Sequence, residues 1–313
     1  MKNISNISLS GKRVLIRVDF NVPLDNRLRI SDDSRIVRSL PTIKKVITDG
    51  GRAIIMSHLG RPKGNDPEFS LSHIVKDVER VLGVKVKFTN EVLGEKTSTI
   101  VENSGPGEIV LLENLRFCPE EKNGDLKFAE ELSKLGDSYV NDAFGTAHRA
   151  HASTYGVAQY APIACAGPLL IGELEALGKA LDNPKRPMVA IVGGSKVSTK
   201  LTVLDALSKI VDQLVVGGGI ANTFIAAQGY GVGQSLCEHD LIPTAQSLME
   251  KCEIPIPADV VCGKEFSEFA VAETKSSNSV ASDDMIFDIG PNSTNELAEI
   301  MRNAGTIVWN GPV

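Results

Sequence analysis

Residues 34–57 read SRIVRSLPTIKKVITDGGRAIIMS, a stretch in which a helical pattern runs directly into a short apolar run. Apolar side chains recur along 36–47 at helical spacing and share one face, and Gly50-Gly51 then ends the helix. Pro41 lies inside this pattern, where it can kink or delay the helix. The run at 52–57 is typical of a strand buried on both faces. With the earlier run RVLIRV (13–18), the stretch predicts a β-α-β unit of a parallel sheet.

The same alternation continues along the rest of the chain. Further apolar runs are KVKF (85–88), EIVLLE (108–113), SYVND (138–142), MVAIVGG (188–194), QLVVGGG (213–219), ADVVCG (258–263), MIFDIG (285–290) and TIVWNG (306–311). The segment 169–187 reads as one helix that ends at Asn183-Pro184. We therefore predict the α/β class, with two doubly wound parallel-sheet (Rossmann-like) domains joined by a helix and a cleft between them. The predicted bounds are 1–170 and 187–313, joined by an inter-domain helix and hinge at 171–186.

The bulk composition fits two globular domains. The chain has 313 residues, more than one core usually supports, with 42% hydrophobic and 23% charged residues. Its five Cys include no CxxC pair, which argues against a disulfide framework or a structural zinc site. The N-terminus lacks a signal-peptide run, and no window reaches the length of a membrane span. We expect a cytoplasmic protein with no membrane partner.

Charge is distributed unevenly between the two halves. Residues 1–172 carry 23 Lys and Arg against 21 Asp and Glu, and residues 173–313 carry 10 against 18. Nucleic-acid binding is not expected, because no basic face is clustered and aromatic residues are only 5% of the chain. A local anion site in the first half is permitted if its arginines converge. Without a heptad pattern or an obvious apolar stripe, we expect a monomer.

Unusual polar residues follow the predicted strands of the first half. Ligands of doubly wound sheets bind at the carboxyl ends of the strands. Arg35, Arg61, Arg116 and Arg149 come from four such regions, and converging guanidinium groups would bind a small polyanion. The alternative is four separate surface arginines. Asp19 and Asn21 either bind hydroxyl groups of the same ligand or form a turn before Pro23.

The stretch VNDAFGTAHRAHAST (140–154) concentrates three cationic side chains in four residues. Taken alone, it could hold a metal ion on Asp142, His148 and His151, or it could be an ordinary loop. The chain-wide pattern favours Arg149 as a phosphate contact. His148 and His151 would then add positive potential, with protonation rising as the pH falls toward about 6.5. Asn141 and Asp142 would brace the turn.

The second half carries a different kind of signal. VGGSKVSTKL (192–201) places two glycines after a strand, then Lys196, and then Lys200 at a helix N-terminus, an arrangement that favours phosphate. It is not a Walker A loop. GGGIAN (217–222) is not a dinucleotide fingerprint, since Asn222 replaces the third spaced glycine. Tight strand–helix packing also explains such glycines. A polyanion site and a phosphate site together suggest phosphoryl transfer, although a two-lobed binding protein would look similar.

Eight segments together resemble the phosphoglycerate kinase family, in the family's order along the whole chain. They are RVDFNVPL (17–24), SRIVRSLPTI (34–43), SHLGRPKG (57–64), LLENLRF (111–117), NDAFGTAHRAHAS (141–153), VAIVGGSKVSTKL (189–201), GGGIANTF (217–224) and TIVWNGPV (306–313). The resemblance implies transfer of a phosphoryl group between 1,3-bisphosphoglycerate and ADP, giving 3-phosphoglycerate and ATP in glycolysis. It further implies Mg²⁺ with the nucleotide, and direct in-line transfer after domain closure.

The resemblance also implies site residues, position by position. The first domain would bind the glycerate substrate through Asp19, Phe20, Asn21, Arg35, His58, Leu59, Gly60, Arg61, Arg116 and Arg149. The second domain would bind the nucleotide through Gly193, Gly194, Lys196, Lys200, Gly218, Gly219, Asn310 and Pro312. Arg35 and Lys196 would be the catalytic charges on the transferring phosphoryl group. No residue of this sequence is assigned as a metal ligand.

The sequence departs from the family pattern in two places. Family members continue beyond this point with Gly-Val-Phe-Glu and Gly-Gly-Gly-Asp segments, whose Glu resembles a ribose contact and whose Asp resembles a metal ligand. Either the protein continues past Val313, or its nucleotide domain is incomplete and Mg·nucleotide binding is poor. Ile286 stands where many members have Gly, so the adenine slot is expected to differ locally.

Two other functional classes predict different behaviour. A nicotinamide-dependent dehydrogenase needs the spaced-glycine fingerprint that GGGIAN does not supply. A two-lobed anion-binding protein would bind phosphoglycerate without affinity for nucleotide. A titration with ADP and Mg²⁺ separates it from the kinase.

Overall fold

The computed structural model describes residues 2–267 and 269–311. The chain divides into two compact units, the first ending at Glu175 and the second beginning at Ala176. This division falls inside one helix, α8 (Pro168–Asp182). In the described part of the chain, no helix is both long and apolar enough to cross a membrane.

The first unit is built on one six-stranded sheet in which every pairing is parallel. Its strands are β1 (Arg13–Arg17), β2 (Arg52–Met56), β3 (Val86–Phe88), β4 (Ile109–Leu111), β5 (Ser138–Asn141) and β6 (Ala164–Ala166), in the order β3-β4-β2-β1-β5-β6. From β1 the chain moves outward through one half of the sheet and returns to β5 on the other side. The carboxyl ends of β1 and β5 therefore flank the point where the strand order reverses.

Helices cover both faces of this sheet. They are α1 (Ser34–Thr48), α2 (Val75–Leu82), α3 (Glu95–Glu102), α4 (Pro119–Asn123), α5 (Leu126–Ser133), α6 (Phe144–Ala147), α7 (Val157–Tyr160) and the start of α8. Short 3₁₀ segments lie at Ile4–Asn6, Pro67–Phe69, Leu71–Ile74 and Leu115–Phe117, and a π-helical turn spans Ala152–Gly156. Successive residues of β1 enter different cores: Val14 and Ile16 pack in one cluster, and Leu15 packs in another. This arrangement explains the uninterrupted apolar runs of the sequence.

The helix predicted from residue 34 is confirmed as α1. It runs through Pro41 without interruption and buries Ile36, Ile43 and Val46 against the sheet. The helix ends where Gly50 takes a φ of +79°, and a Cβ at Gly51 would lie 2.9 Å from the Leu9 carbonyl oxygen. The two glycines therefore permit the close return of the chain into β2.

The second unit contains two separate sheets. One is parallel, with β7 (Met188–Gly193) between β8 (Gln213–Gly217) and β12 (Thr306–Asn310). The other is antiparallel, with β9 (Asp259–Gly263) between β10 (Glu273–Ser276) and β11 (Met285–Ile289). The helices are α9 (Leu201–Ser208), α10 (Gly219–Ala227), α11 (Ile242–Lys251) and α12 (Pro291–Asn303), with 3₁₀ segments at His239–Leu241 and Ser277–Ser279.

The antiparallel sheet corrects part of the sequence prediction, which placed the runs at 258–263 and 285–290 in a parallel sheet. Parallel neighbours need a crossover, usually a helix, between them. In the described residues between β9 and β11, the chain instead forms the polar strand β10 and a 3₁₀ turn. β10 reads ETKS, so a search for apolar runs could not find it.

Candidate functional site

The carboxyl ends of β1, β2, β4 and β5 place charged side chains along one edge of the first sheet. We call this set the cationic rim, and it consists of Arg35, Arg61, Arg116 and Arg149 with Asp19 and His58. Arg35 lies in the first turn of α1, and Arg149 follows α6. The rim thus collects residues from five separate segments of the first unit.

Asp19 connects two of these segments. Its Oδ2 accepts a hydrogen bond from Nη1 of Arg35 at 2.5 Å. The Arg35 side chain is 48% exposed, whereas that of Asp19 is 18% exposed. Oδ1 of Asp19 accepts from the backbone N–H of Asn21 at 3.2 Å. Asp19 therefore orients the guanidinium of Arg35 and at the same time forms the turn that the sequence allowed as an alternative.

The loop after β2 is fixed by polar contacts with its neighbours. The N–H of Gly60 donates to Oδ1 of Asn21 at 2.8 Å, and its carbonyl accepts from Nη1 of Arg116 at 2.5 Å. Gly60 has a φ of +60°, and a Cβ there would lie 2.1 Å from the ring of Phe69. The amide of Asn114 bonds the backbone of Leu59. These contacts fix the backbone of this loop against the neighbouring segments.

Three of the predicted substrate residues are buried: Phe20 and Leu59 pack their side chains in the hydrophobic core, whereas the ring of His58 contacts Arg17. Phe20 is fully enclosed in the core, and its N–H donates to the hydroxyl of Ser57 at 2.8 Å. Leu59 is 2% exposed. Their place in the motif fits a structural role for these two side chains, since they anchor the backbone directly before Asn21 and Gly60.

The rim side chains share one electrostatic environment. Burial lowers the pKa of Arg116, and the charges of Arg149, Arg17 and Arg61 lower it further. Burial also lowers the pKa of His58 to about 2, with further contributions from Arg17, Arg116, Arg35 and His151. These effects on Arg116 and His58 require the neighbouring charges to lie close to them. Within residues 2–267 and 269–311, the side chains of Arg61 and Arg149 have no hydrogen-bond or ion-pair partner. They are exposed and available to an anion.

The structure changes the interpretation of the 140–154 stretch. Asp142 is fully buried, accepts from Thr42 Oγ1, and bonds the backbone N–H groups of Leu169 and Leu170 at 2.9 and 3.1 Å. It therefore caps the start of α8 rather than bracing its own turn or ligating a metal with His148 and His151. Asn141 does brace the turn, accepting from the N–H of Ala143 at 3.1 Å.

His151 also differs from expectation. Burial lowers its pKa, opposed by Glu121 and reinforced by Arg149 and Arg116. His151 therefore stays neutral to a lower pH than the ordinary histidine value that the sequence suggested. Its contribution to positive potential is accordingly smaller near neutral pH.

In the second unit, the residues after the parallel strands form closely packed glycine turns. Gly194 follows β7 with a φ of +153°, and its carbonyl accepts from the N–H of Ile220 at 3.1 Å. Gly218, with a φ of +63°, precedes α10, and a Cβ there would lie 2.9 Å from the carbonyl oxygen of Gly194. A Cβ at Gly219 would lie 2.3 Å from that of Ser195. Backbone thus approaches backbone at the N-terminus of α10, where N–H groups favour an anion.

Two predicted nucleotide residues come together beside these turns. Nζ of Lys200 donates to Oδ1 of Asn310, at the end of β12, at 2.7 Å. Lys200 is the N-cap residue of α9, at a helix N-terminus as the sequence predicted. The Lys196 side chain is exposed and has no polar partner in the described ranges. Pro312, the last predicted nucleotide residue, lies outside the described residues.

An apolar cavity of about 790 Å³ opens beside the glycine turns of the second unit. Its lining includes Gly218, Ile286, Phe287, Met301 and Trp309. Such a space suits a flat, largely apolar group whose polar end lies at the glycine turns. Ile286, the departure noted in the sequence, lies in this wall and donates its N–H to Ser235 Oγ at 2.8 Å.

Three important residues of the first unit were missed by the sequence analysis. Arg17, Glu121 and Ser153 are each at most 1% exposed and are linked by hydrogen bonds beneath the rim. The available signal was the charge itself, since an arginine inside a buried strand must find polar partners. Within the described ranges, no group of three or more His, Cys, Asp and Glu residues could hold a metal ion.

Comparison with known proteins gives consistent results. The phosphoglycerate kinase family model matches residues 4–313. A curated phosphoglycerate kinase from Vibrio campbellii is 54% identical over 312 residues, which cover 99% of this chain and 79% of that protein. The solved phosphoglycerate kinase of Coxiella burnetii is 47% identical, with a TM-score of 0.78, and the match covers all of this chain and 80% of that one. That of Pyrococcus horikoshii is 28% identical, with a TM-score of 0.85, and the match covers 100% and 81% of the two chains.

Proposed function

Because the chain belongs to the phosphoglycerate kinase family and is therefore a glycolytic phosphotransferase, we propose that its two units bind the two substrates of one transfer. The first unit binds 3-phosphoglycerate or 1,3-bisphosphoglycerate on the cationic rim. The second unit binds ADP or ATP at the glycine turns and the apolar cavity. The observation that supports this assignment is that arginines from separate strand ends act electrostatically on Arg116, while the side chains of Arg61 and Arg149 have no protein partner among the described residues.

The rim suits a small molecule with several negative groups. Guanidinium groups pair with phosphate and carboxylate oxygens in forked geometry. Arg116 is preset by its bond to Gly60, and Arg35 by its bond to Asp19. Asn21 and His58 supply neutral polar groups for a hydroxyl or carboxylate. The mixture of charged and neutral groups matches a phosphorylated hydroxy acid.

Catalysis follows from alignment and charge. Phosphoryl transfer proceeds mainly by positioning and neutralisation of the transferring group, with little covalent help from the protein. We assign Arg35 and Lys196 to that neutralisation, with direct in-line transfer once the units close about the 171–186 segment. Closure would also exclude water, which otherwise hydrolyses an acyl phosphate.

Magnesium is expected with the nucleotide, where it would neutralise the phosphate oxygens. Protein sites for this ion usually combine one or two carboxylates with substrate phosphates. Within the described residues, no group of three or more His, Cys, Asp and Glu side chains could hold the ion, and no residue of this chain is assigned to it. We therefore derive no step through a protein-bound ion.

A coupled assay of transfer from ATP to 3-phosphoglycerate tests the assignment. The wild-type protein should turn over, and Arg116→Ala should raise the KM for 3-phosphoglycerate about tenfold or more through loss of a charged hydrogen bond. The KM for ATP should change less than about twofold. The matched control is Arg80→Ala, since Arg80 pairs with Asp33 and Asp77 at the surface. Absence of turnover in the wild type, or equal effects of the two variants, would overturn the proposal.

A further inference from the structure

Arg17 is a buried arginine that the proposed function does not use. It is the last residue of β1, is 1% exposed, and lies beneath the cationic rim. Its Nε donates to Ser153 Oγ at 2.9 Å, its Nη1 donates to the carbonyl of Val18, and its Nη2 lies 3.1 Å from Nδ1 of His58. Each side of the guanidinium therefore has a partner.

The contact with His58 determines where that ring carries its proton. A guanidinium has N–H donors and no acceptor, so Nδ1 of His58 must accept. A histidine that accepts at Nδ1 is neutral and holds its proton on Nε2. The alternative tautomer would place two donors against each other in a buried site, which is costly.

A buried carboxylate, that of Glu121, fixes the direction of the hydrogen bond between Arg17 and Ser153. Ser153 donates its hydroxyl proton to Oε1 of Glu121 at 2.6 Å, and its backbone N–H donates to Oε2 at 2.8 Å. With its one proton used in this way, the Ser153 hydroxyl can only accept from Arg17. Tyr139 adds a bond from its hydroxyl to the Ser153 carbonyl at 2.7 Å. Arg17 therefore donates to Ser153, and Ser153 in turn donates to Glu121.

The second nitrogen of His58, Nε2, is not fully enclosed by protein. Across residues 2–267 and 269–311, Nε2 makes no hydrogen bond to protein. The fully enclosed unpartnered side-chain atoms in those ranges are Nε of Arg52 and Oγ of Ser138. Nε2 has no partner and is not one of these enclosed atoms. It is therefore partly exposed to solvent, even though His58 as a whole is only 4% exposed. The rim residues Arg35 and Arg116 lie close enough for their charges to lower the pKa of the ring.

We propose that Arg17, oriented by Ser153 and Glu121, is a positioning residue that holds His58 as the neutral Nε2–H tautomer, so that Nε2–H is a permanent donor toward the glycerate substrate. The identity of the ligand rests on the proposed function, whereas the tautomer itself does not. A neutral donor binds a carboxylate or hydroxyl oxygen without adding to the repulsion among the rim arginines.

The surroundings keep the ring neutral. Arg17, Arg35, Arg116 and His151 all disfavour a charge on His58, in addition to its burial. The facing carboxylate, Asp19, has its Oδ1 at 4.0 Å from Nδ1, beyond hydrogen-bond distance. A carboxylate at this distance favours a charged ring, but burial and the neighbouring cations outweigh it, because the pKa of His58 is lowered overall. Between pH 6 and 8, the donor at Nε2 does not depend on protonation of the ring.

Nitrogen NMR of histidine-labelled protein tests the tautomer directly. In the ligand-free wild type, His58 should show a protonated Nε2 and an unprotonated Nδ1 throughout pH 6–8. A proton on Nδ1, or a ring that titrates in this range, would overturn the proposal. This readout needs no substrate and no variant, so it stands even if the proposed function fails.

Variants then test the consequence for binding. Arg17→Met should make the His58 signals those of mixed tautomers and raise the Kd for 3-phosphoglycerate about tenfold, as loss of a supporting hydrogen bond does. The Kd for ADP should stay unchanged. The control is Arg13→Met, at the opposite end of β1, where Arg13 pairs with Asp137 at 2.7 Å. If Arg17→Met fails to fold by circular dichroism, Ser153→Ala replaces it.

The outcomes separate the two proposals. An unchanged Kd for 3-phosphoglycerate in folded Arg17→Met, with tautomers mixed, would show that positioning does not matter for binding. Failure of the wild type to bind 3-phosphoglycerate at all would instead refute the proposed function and leave the tautomer result intact.

Discussion

At the carboxyl ends of β1, β2 and β5, the first unit presents charged side chains, whereas at the ends of β7, β8 and β12 the second unit presents glycine backbone. The cationic rim is braced by specific bonds such as Asp19 to Arg35 at 2.5 Å. The glycine turns of the second unit approach so closely that a Cβ at Gly311 would lie 2.2 Å from the Gly193 carbonyl oxygen. Both sites occupy the same position relative to a parallel sheet.

If the proposed sites are correct, the difference represents two ways to bind phosphate at one topological position. Side-chain forks specify the number and spacing of negative groups, which suits a small polyanion. Backbone N–H groups and a helix N-terminus bind one phosphate chain, and the adjoining apolar cavity accepts the rest of the ligand. Side-chain substitutions in the first unit should therefore affect the glycerate substrate, and backbone changes in the second unit should affect the nucleotide.

The largest expected effect is that of Arg35→Ala. It removes a charge assigned to the transferring phosphoryl group, so kcat should fall about 100- to 1000-fold. Steady-state kinetics measure this, with Arg38→Ala as the control on the same helix, where Arg38 is exposed. A kcat within about tenfold of the wild type would contradict the role of Arg35 in neutralisation.

Gly218→Ala should act on the nucleotide alone. The new Cβ meets the Gly194 carbonyl at 2.9 Å on a backbone with a φ of +63°. Strain of about 1–3 kcal/mol should raise the Kd for ADP about ten- to a hundredfold. Gly229→Ala is the matched control, because Gly229 has a φ of +87° with no atom within 4 Å of its Cβ. Calorimetric titration measures the Kd for ADP, and equal values for the two variants would contradict this prediction.

Lys200→Met should have a smaller effect in the same unit. It removes the ammonium group that lies 2.7 Å from Asn310, while keeping much of the side-chain volume. Loss of one charged contact to phosphate should weaken ADP binding about tenfold. Lys209→Met, at the far end of α9 where Lys209 pairs with Asp205, should leave binding unchanged. An equal loss for 3-phosphoglycerate would show that the two sites are not separate.

The smallest expected effect concerns acid stability in the first unit. The unfolded chain has an ordinary histidine pKa, about 6.5, whereas that of folded His58 is lowered to about 2. As the pH falls below 6.5, the unfolded chain takes up a proton that the folded chain does not, so stability is lost. Between pH 6.5 and 5.5, the wild type should lose about 1 kcal/mol more than His58→Gln. Urea unfolding measures this, and parallel curves would contradict it.

Much of this arrangement could be predicted from the sequence, because strand ends follow from apolar runs. Arg35, Arg61, Arg116 and Arg149 were found in this way, and the electrostatic coupling of Arg116 to Arg149 and Arg61 agrees with their convergence. Gly218 was found as part of a glycine run after a strand, although its backbone contact with Gly194 was not. The local sequence pattern and the order of the strands together therefore predict where these residues lie.

Other features depend on partners that are distant in sequence. Arg17 reads as part of a strand, and its partners His58 and Ser153 lie 41 and 136 residues away. Asp142 appeared to be a turn or metal residue because the start of α8, which it caps, is 27 residues further on. The antiparallel sheet was not predicted, because its strand β10 is polar and the prediction rests on apolar runs. Such contacts follow from three-dimensional packing rather than from periodicity.

The central claim is that the first unit binds the glycerate substrate and the second binds the nucleotide. Amide chemical-shift mapping with each ligand alone tests it most directly. We predict that 3-phosphoglycerate shifts the amides of 19–21, 58–61, Arg116 and Arg149, and that ADP shifts those of 193–196, 217–219 and Asn310. If 3-phosphoglycerate instead shifted the glycine turns, or both ligands shifted the same unit, the claim would be wrong.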